Sequence, residues 1–278
     1  MNRGRPAFAA VVGLLMFGVL WEVYVRVANV RRFILLPPSE IVSELRARPG
    51  LYLDASLVTA RHAAVGLFLA LVVAVALGAL LATSRFLENA VQPILVLVLV
   101  APWVAYFSPV VAWLGRGDPP VLFLVSLVAL PAFTFATVTC LRSSDPAARE
   151  LLASVDASRL EVLWRLRLPS ALPSLFSTAR YAFGLALAAS YSGEGGNLTS
   201  PGPGAGLGLV GRLAVSNSSN GPQLWASVFS TVALGVIGLT LVALVERIAL
   251  RWHVSQRATT ARTTSARASE RRPARSLP

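Results

Sequence analysis

The 278-residue chain contains no lysine, and all 25 of its basic residues are arginine. It has one cysteine, two histidines and 13 acidic residues. Each scarcity removes a class of function. A nucleotide-binding Walker loop needs Gly-Lys-Ser/Thr opening a helix after a strand. The Gly-rich run from Ser200 to Gly208 is therefore not a phosphate loop, and no other ATP-binding machinery is visible. Cys140 has no second cysteine to pair with and reads as a small buried apolar residue at the end of an apolar run. His62 and His253 lie far apart and lack Cys or carboxylate companions at ligand spacing, so no metal site and no cofactor are expected. No His, Ser and carboxylate cluster gathers near one face, which argues against an enzyme.

Apolar residues are abundant. They make up 55% of the chain, and charged residues only 14%, where a soluble domain carries about 25%. Six apolar runs, at residues 7–28, 62–83, 91–114, 121–140, 172–191 and 224–250, reach the roughly 20 residues that cross a bilayer. The fold expected is an all-α polytopic membrane protein of about six transmembrane helices. The first run contains Trp21 and Glu22 and lacks a small-residue cleavage site, so it reads as a span and not as a signal peptide.

The net charge of +12 does not point to nucleic acid. The basic tail, with eight Arg after Glu246, has neither a folded platform nor interleaved aromatics. Beside a final span it points to a cytoplasmic C-terminus near anionic headgroups. Six spans then place the N-terminus inside too, in agreement with Arg3 and Arg5 and against Arg31, Arg32, Arg46, Arg48 and Arg61 in the first outer loop. Residues 1–254 are expected to form the membrane domain and 255–278 a disordered cytoplasmic tail.

Between the spans, Ser39 is placed to N-cap a short amphipathic surface helix that Pro49-Gly50 ends. Five prolines, at 102, 109, 119, 120 and 131, predict bent helices in spans three and four. Residues 192–222 read as an outer loop. Residues 145–169 are too charged for lipid and too orderly for a linker. Asp145-Pro146 starts one helix as N-cap and N1. Ser158 with Glu161 forms a capping box that starts a second, and Val155-Asp156-Ala157 turns between them. A self-sufficient secondary transporter would want charged pairs at mid-span, and spans two, three, four and six are nearly free of them.

The 145–169 segment resembles the EAA loop of ABC-importer inner-membrane permeases. Glu150 stands at the Glu position, Leu151 and Leu152 replace the two Ala, Asp156 replaces the Gly, and Leu168-Pro169 closes the pattern. From about residue 14 to 252 the chain is similar to the nitrate, sulfonate and taurine branch. Its Leu20-Trp21-Glu22 and Leu36-Pro37-Pro38-Ser39, its Trp113-Leu114-Gly115 turn with Gly117, its Leu141-Arg142-Ser143-Ser144-Asp145-Pro146, and Arg180 before Gly184 and Glu194 follow the order of that branch.

The resemblance implies two paired permease copies in a bacterial inner membrane, expected to be a homodimer. It also implies two separate ATP-binding subunits below and a periplasmic or lipid-anchored solute-binding protein outside. The cargo would be a sulfonate, nitrate or taurine-like anion, with a thiamine-precursor-like heterocycle as the alternative. Glu150, Asp156, Ala157, Ser158 and Pro169 would couple to the ATPase. Asp is among the few residues besides Gly that visit the left-handed region, so the turn at Asp156 survives the departure. Arg180, Glu194, Trp103 and Tyr106 are candidates to line the path. For Arg180 the alternative is snorkelling to the interface, and for Trp103 and Tyr106 an interfacial aromatic belt.

Overall fold

The computed structural model describes residues 4–31, 34–142, 150–152, 154–196, 204–216 and 221–250. The basic tail, and the Asp145-Pro146 cap expected from sequence, lie outside the described residues. Among those described there is no strand. The helices, in order, are α1 Gly4–Val27, α2 Pro38–Ala47, α3 Pro49–Thr83, α4 Arg85–Val100, α5 Phe107–Leu114, α6 Asp118–Arg142, α7 Arg159–Val162, α8 Leu168–Gly196, α9 Leu207–Ser216 and α10 Gly221–Ala249. A 3-10 turn, Trp103–Tyr106, leads into α5, and a π turn, Leu163–Arg167, leads into α8.

Among the described residues α3, α6 and α10 are long and apolar enough to cross a membrane, and α4 with the segment Trp103–Leu114 makes a fourth if that bent pair is one span. With 24 and 29 residues, α1 and α8 also have the length for a crossing. Large apolar side chains on α1 and α10 point outward, including Leu14, Phe17, Val232, Ile237 and Ile248, all more than half exposed. Such a surface is stable only against lipid or another apolar face.

The centre is α3, packed most extensively on α6, which in turn packs on α8. Residues buried along α3 are Tyr52, Ala55, Thr59, His62, Ala63, Gly66, Ala70, Ala74, Gly78 and Leu81, a stripe at helical spacing made mostly of small side chains. Helices in lipid gain little from hydrophobic exclusion and associate through close contact, which small residues permit. A Cβ at Gly66 would meet Val125 Cγ1 at 2.5 Å, and one at Gly78 would meet Thr137 Cβ at 2.7 Å. The Ser126 hydroxyl adds a cross-helix bond to the Gly66 carbonyl at 3.0 Å.

Several element boundaries differ from those the sequence suggested. The second apolar run is only the later part of α3, which starts at Pro49 and is 35 residues long, or about 52 Å. Proline at N1 is tolerated because its missing N–H is one of the unsatisfied donors of a helix start. The third run is broken. Its two parts bend by 92° after Val100, where Pro102 follows the Ala101 cap. Pro93 and Pro131 lie inside α4 and α6 without ending them. The stretch 192–222 is not a plain loop, because α8 continues to Gly196 and α9 follows with Leu207, Leu209, Val210 and Ala214 buried.

Ser39 is not an N-cap. Pro37 occupies the cap of α2 without a side-chain bond. Ser39 lies inside the first turn, one residue past Pro38, and donates to the Glu22 carboxylate through its N–H (3.0 Å) and its hydroxyl (2.7 Å), both charge-assisted bonds. Far from lying free on the surface, α2 buries Ile41 in a cluster with Leu36, Tyr52, Ala55, Leu207, Val210 and Ala226.

The α3–α6 contact yields the first prediction. Gly78→Leu should destabilise the folded chain by about 1–3 kcal/mol, the usual range for overpacking. Leu80→Ala, on the same helix at a side chain 55% exposed, serves as the control and should change stability little. Thermal unfolding in detergent should separate the two, and equal midpoints would refute the close contact.

Candidate functional site

The turn at Asp156 and the helix start at Ser158 are held by local chemistry. Asp156 has φ +52°, in the left-handed region, and the following Ala157 N–H donates to Leu152 O at 3.1 Å. This is the bond pattern that closes a helix with a left-handed residue, usually Gly. Asp adopts it at a cost of about 1–2 kcal/mol. The capping box then forms as the spacing predicts. Glu161 N–H donates to Ser158 Oγ (3.2 Å), and Ser158 N–H and Oγ donate to Glu161 Oε2 (2.9 and 3.1 Å). Those two bonds, with Arg165 nearby, hold the Glu161 carboxyl below the ordinary carboxylate range. A depressed folded value stabilises the box above the unfolded value and is lost as pH falls through the folded one, so the box is intact at neutral pH.

The box does not start an isolated helix that Leu168-Pro169 ends. From α7 the chain passes through the π turn into α8 with Leu168 N–H bonded to Leu163 O, so Pro169 sits half-buried in the first turn of the long helix. The wider π turn accommodates a ring that would otherwise press on a preceding carbonyl. Glu150, Asp156 and Ser158 are exposed on this segment, and Ala157 is half-buried.

At the other end of α8 lies a buried polar cluster. Glu194, 4% exposed, accepts four hydrogen bonds or close polar contacts. Its Oε1 lies 2.8 Å from His62 Nδ1 and 3.0 Å from Ser190 Oγ, and its Oε2 accepts from Thr59 Oγ1 (2.8 Å) and Gly208 N–H (3.1 Å). A carboxylate offers about four lone-pair sites, so this one is saturated. Thr59 Oγ1 also accepts from Leu207 N–H at 2.9 Å. The first amides of α9 are thereby tied to α3 and α8, where a helix N-terminus favours negative charge. His62 Nε2 lies 3.1 Å from Asp118 Oδ1, an ion-pair distance without the in-line angle of a hydrogen bond. Asp118 in turn pairs with Arg61 at the surface.

Glycine makes this junction possible. A Cβ at Gly206 would overlap the Glu194 carboxylate, one at Gly208 would overlap the Tyr191 carbonyl, and one at Gly211 the Tyr191 hydroxyl. Gly206, Gly208 and Gly211 thus form the face by which α9 and its approach lie against α8.

Arg180 stands apart from Glu194 among the path candidates. Arg180 is paired with Glu246 of α10, with its side chain 49% exposed, and it lies fourteen residues before Glu194 on α8, about 21 Å along the axis. Trp103 packs half-buried against the cluster of Ala63, Val121, Phe183 and Leu187, and Tyr106 is half-buried beside the bend. Trp113 is 73% exposed and meets Phe123 edge-on at 5.9 Å. His62 does have carboxylate companions, against the sequence expectation, because α8 and α6 bring Glu194 and Asp118 to it. Neither Thr59 nor Ser190 was singled out from sequence. The one available signal was that Thr59 and His62 interrupt an otherwise apolar small-residue stripe.

Glu194→Ala should therefore lower stability by about 3–5 kcal/mol, as for breaking a buried pair, and release α9. The check is Leu207→Cys, at a fully buried position, probed with a membrane-impermeant maleimide. Labelling should be slow with Glu194 present and fast in the Ala variant. Equal rates would show that the carboxylate does not hold α9.

Residues 51–253 match the family described as binding-protein-dependent transport system inner membrane component. The formylaminopyrimidine transport permease protein ThiX of Halalkalibacterium halodurans is 27% identical over 92% of this chain and 100% of its own length. The riboflavin transport system permease protein RibX of Chloroflexus aurantiacus is 30% identical over 90% of this chain and 92% of its own. Taurine and nitrate import permeases also match, over 65% and 69% of this chain. Among solved structures, an inward-facing MetNI methionine ABC transporter chain superposes with a TM-score of 0.60 at 18% identity, covering 73% of this chain and 96% of that one. The chain belongs to the inner-membrane permeases of binding-protein-dependent ABC importers, in the group that includes the nitrate and taurine permeases, and it is a transport subunit and not an enzyme.

Proposed function

We propose that the chain carries a small heterocyclic solute, of the pyrimidine or flavin kind, inward by alternating access driven by separate ATP-binding subunits. One observation supports the coupling above all. Just beyond the turn at Asp156, the helical chain from Arg159 to Arg167 runs without a break into α8, a helix of 29 residues and about 43 Å, whose far end carries Glu194. A push on the exposed turn is then delivered along one rigid element to the junction that fixes α9. In this reading Glu150, Asp156, Ala157, Ser158 and Pro169 form the docking segment. Two permease copies pair, two ATPases sit below, a solute-binding protein delivers cargo outside, and both termini lie in the cytoplasm.

The heterocycle is favoured over the sulfonate or nitrate anion expected from sequence. Arg180, the cation among the path candidates, is paired with Glu246. The two relatives matched over at least 90% of both chains carry names of heterocycle permeases. Uptake into cells expressing this chain with its partner ATPase and binding protein tests the reading. Labelled aminopyrimidine or riboflavin should accumulate and labelled taurine should not. Taurine or nitrate uptake without heterocycle uptake would overturn it.

The turn supplies a sharper test of coupling. Asp156→Gly removes the left-handed strain and should keep or slightly raise substrate-stimulated ATP hydrolysis. Asp156→Asn should also keep it, and Asp156→Val should reduce it severely, because a β-branched residue at positive φ is an outlier. Loss in Gly and Asn together would instead assign Asp156 a charged contact with the ATPase.

A further inference from the structure

At the end of the bundle that carries the coupling turn, a cleft of about 300 Å³ is lined by Ala82, Thr83, Arg85, Leu141, Arg142 and Arg167. Three separate elements supply its arginines. Arg85 begins α4, Arg142 ends α6, and Arg167 closes the π turn. Among the described residues only Arg142 is compensated, by Glu88 and by the Leu81 carbonyl at 3.3 Å. Arg167 Nε is buried and meets no acceptor, and Arg85 has no ion-pair partner among the described residues. With Glu88 counted, the described residues of the cleft carry an excess of two positive charges. Buried guanidinium N–H groups without acceptors are costly, and planar forks of this kind match phosphate oxygens.

We propose that this cleft binds the phosphate of an anionic phospholipid. The shared chemistry, a phosphate mono- or diester, also fits a soluble phosphate, but the surroundings favour lipid. The cleft lies where two apolar helices, α3 and α6, end. Leu80 and Phe86, flanking it in sequence, are 55% and 79% exposed, and Trp164 on the π turn is 63% exposed. Apolar and aromatic side chains at such a level suit acyl chains and the headgroup boundary, and arginines there attract anionic headgroups. A bound headgroup would tie the coupling turn to the α3–α4 corner. The inference requires that the chain lie in a bilayer, and it is independent of the cargo and of the ATPase contact proposed above.

The full chain, purified in the complex that it forms, would be exchanged into detergent with phosphatidylglycerol or phosphatidylcholine, and retained lipid read by native mass spectrometry. Phosphatidylglycerol should be retained in preference. Arg85→Gln with Arg167→Gln should weaken retention roughly 30-fold, each charge contributing about a factor of five. Arg85→Lys with Arg167→Lys, which keeps the charge but loses the fork, should fall between. An unchanged unfolding midpoint in phosphatidylcholine excludes misfolding as the cause. Equal retention by wild type and the Gln pair would overturn the site. Displacement of the lipid by millimolar glycerol phosphate would overturn the lipid as its source. Loss of a co-purifying subunit in the Gln pair, with lipid retention unchanged, would assign the cleft to a protein contact instead.

Discussion

A carboxylate buried at a helix junction of a membrane protein is tolerated only where its lone pairs are filled and its charge is met. Glu194 meets both conditions through Thr59, His62, Ser190 and the Gly208 amide. The four donors come from three helices, so the arrangement fixes where α3, α8 and α9 stand relative to one another. Removing any one donor leaves the charge short of a partner, so the junction favours one arrangement or a concerted change to another. That property suits the alternating access proposed above.

The same helix joins two kinds of construction. At its start a π turn and a capping box hold a polar, exposed turn through local bonds that need no tertiary partner. At its end, buried charge is held by Ser190 one turn back and by tertiary partners on α3 and α9. Between them α8 packs small residues, such as Ala182, Ala186 and Ala189, into clusters shared with α3 and α6. A helix packed this closely is expected to move as a body, as the proposed coupling from the turn to the junction requires. The Arg180–Glu246 pair ties α8 to α10 on the way and takes the charge of Arg180 out of consideration as a free cation for cargo.

The prolines illustrate how neighbours decide outcome. Pro102 follows the break in the third apolar run, while Pro93 and Pro131 remain within helices. In each case the ring removes one backbone donor. Whether the helix then ends depends on whether other groups satisfy what is freed.

The all-helical membrane character, the family, the left-handed turn at Asp156 and the Ser158–Glu161 box are legible in the amino-acid sequence. Each is written in composition or in contacts within a few residues, where spacing alone specifies geometry. Helix packing is what brings His62 to Glu194 and Asp118, turns Ser39 to Glu22 in place of capping α2, and lets Gly206 and Gly208 seat the start of α9 against α8. It also decided that Arg85, Arg142 and Arg167 converge. The hydrogen-bonded pairs Ser39–Glu22 and His62–Glu194 are 17 and 132 positions apart in the chain, and no local periodicity encodes which of several polar residues a buried charge will reach. The choice is made by helix packing, which brings the donors within about 3 Å and excludes the water that would otherwise satisfy them.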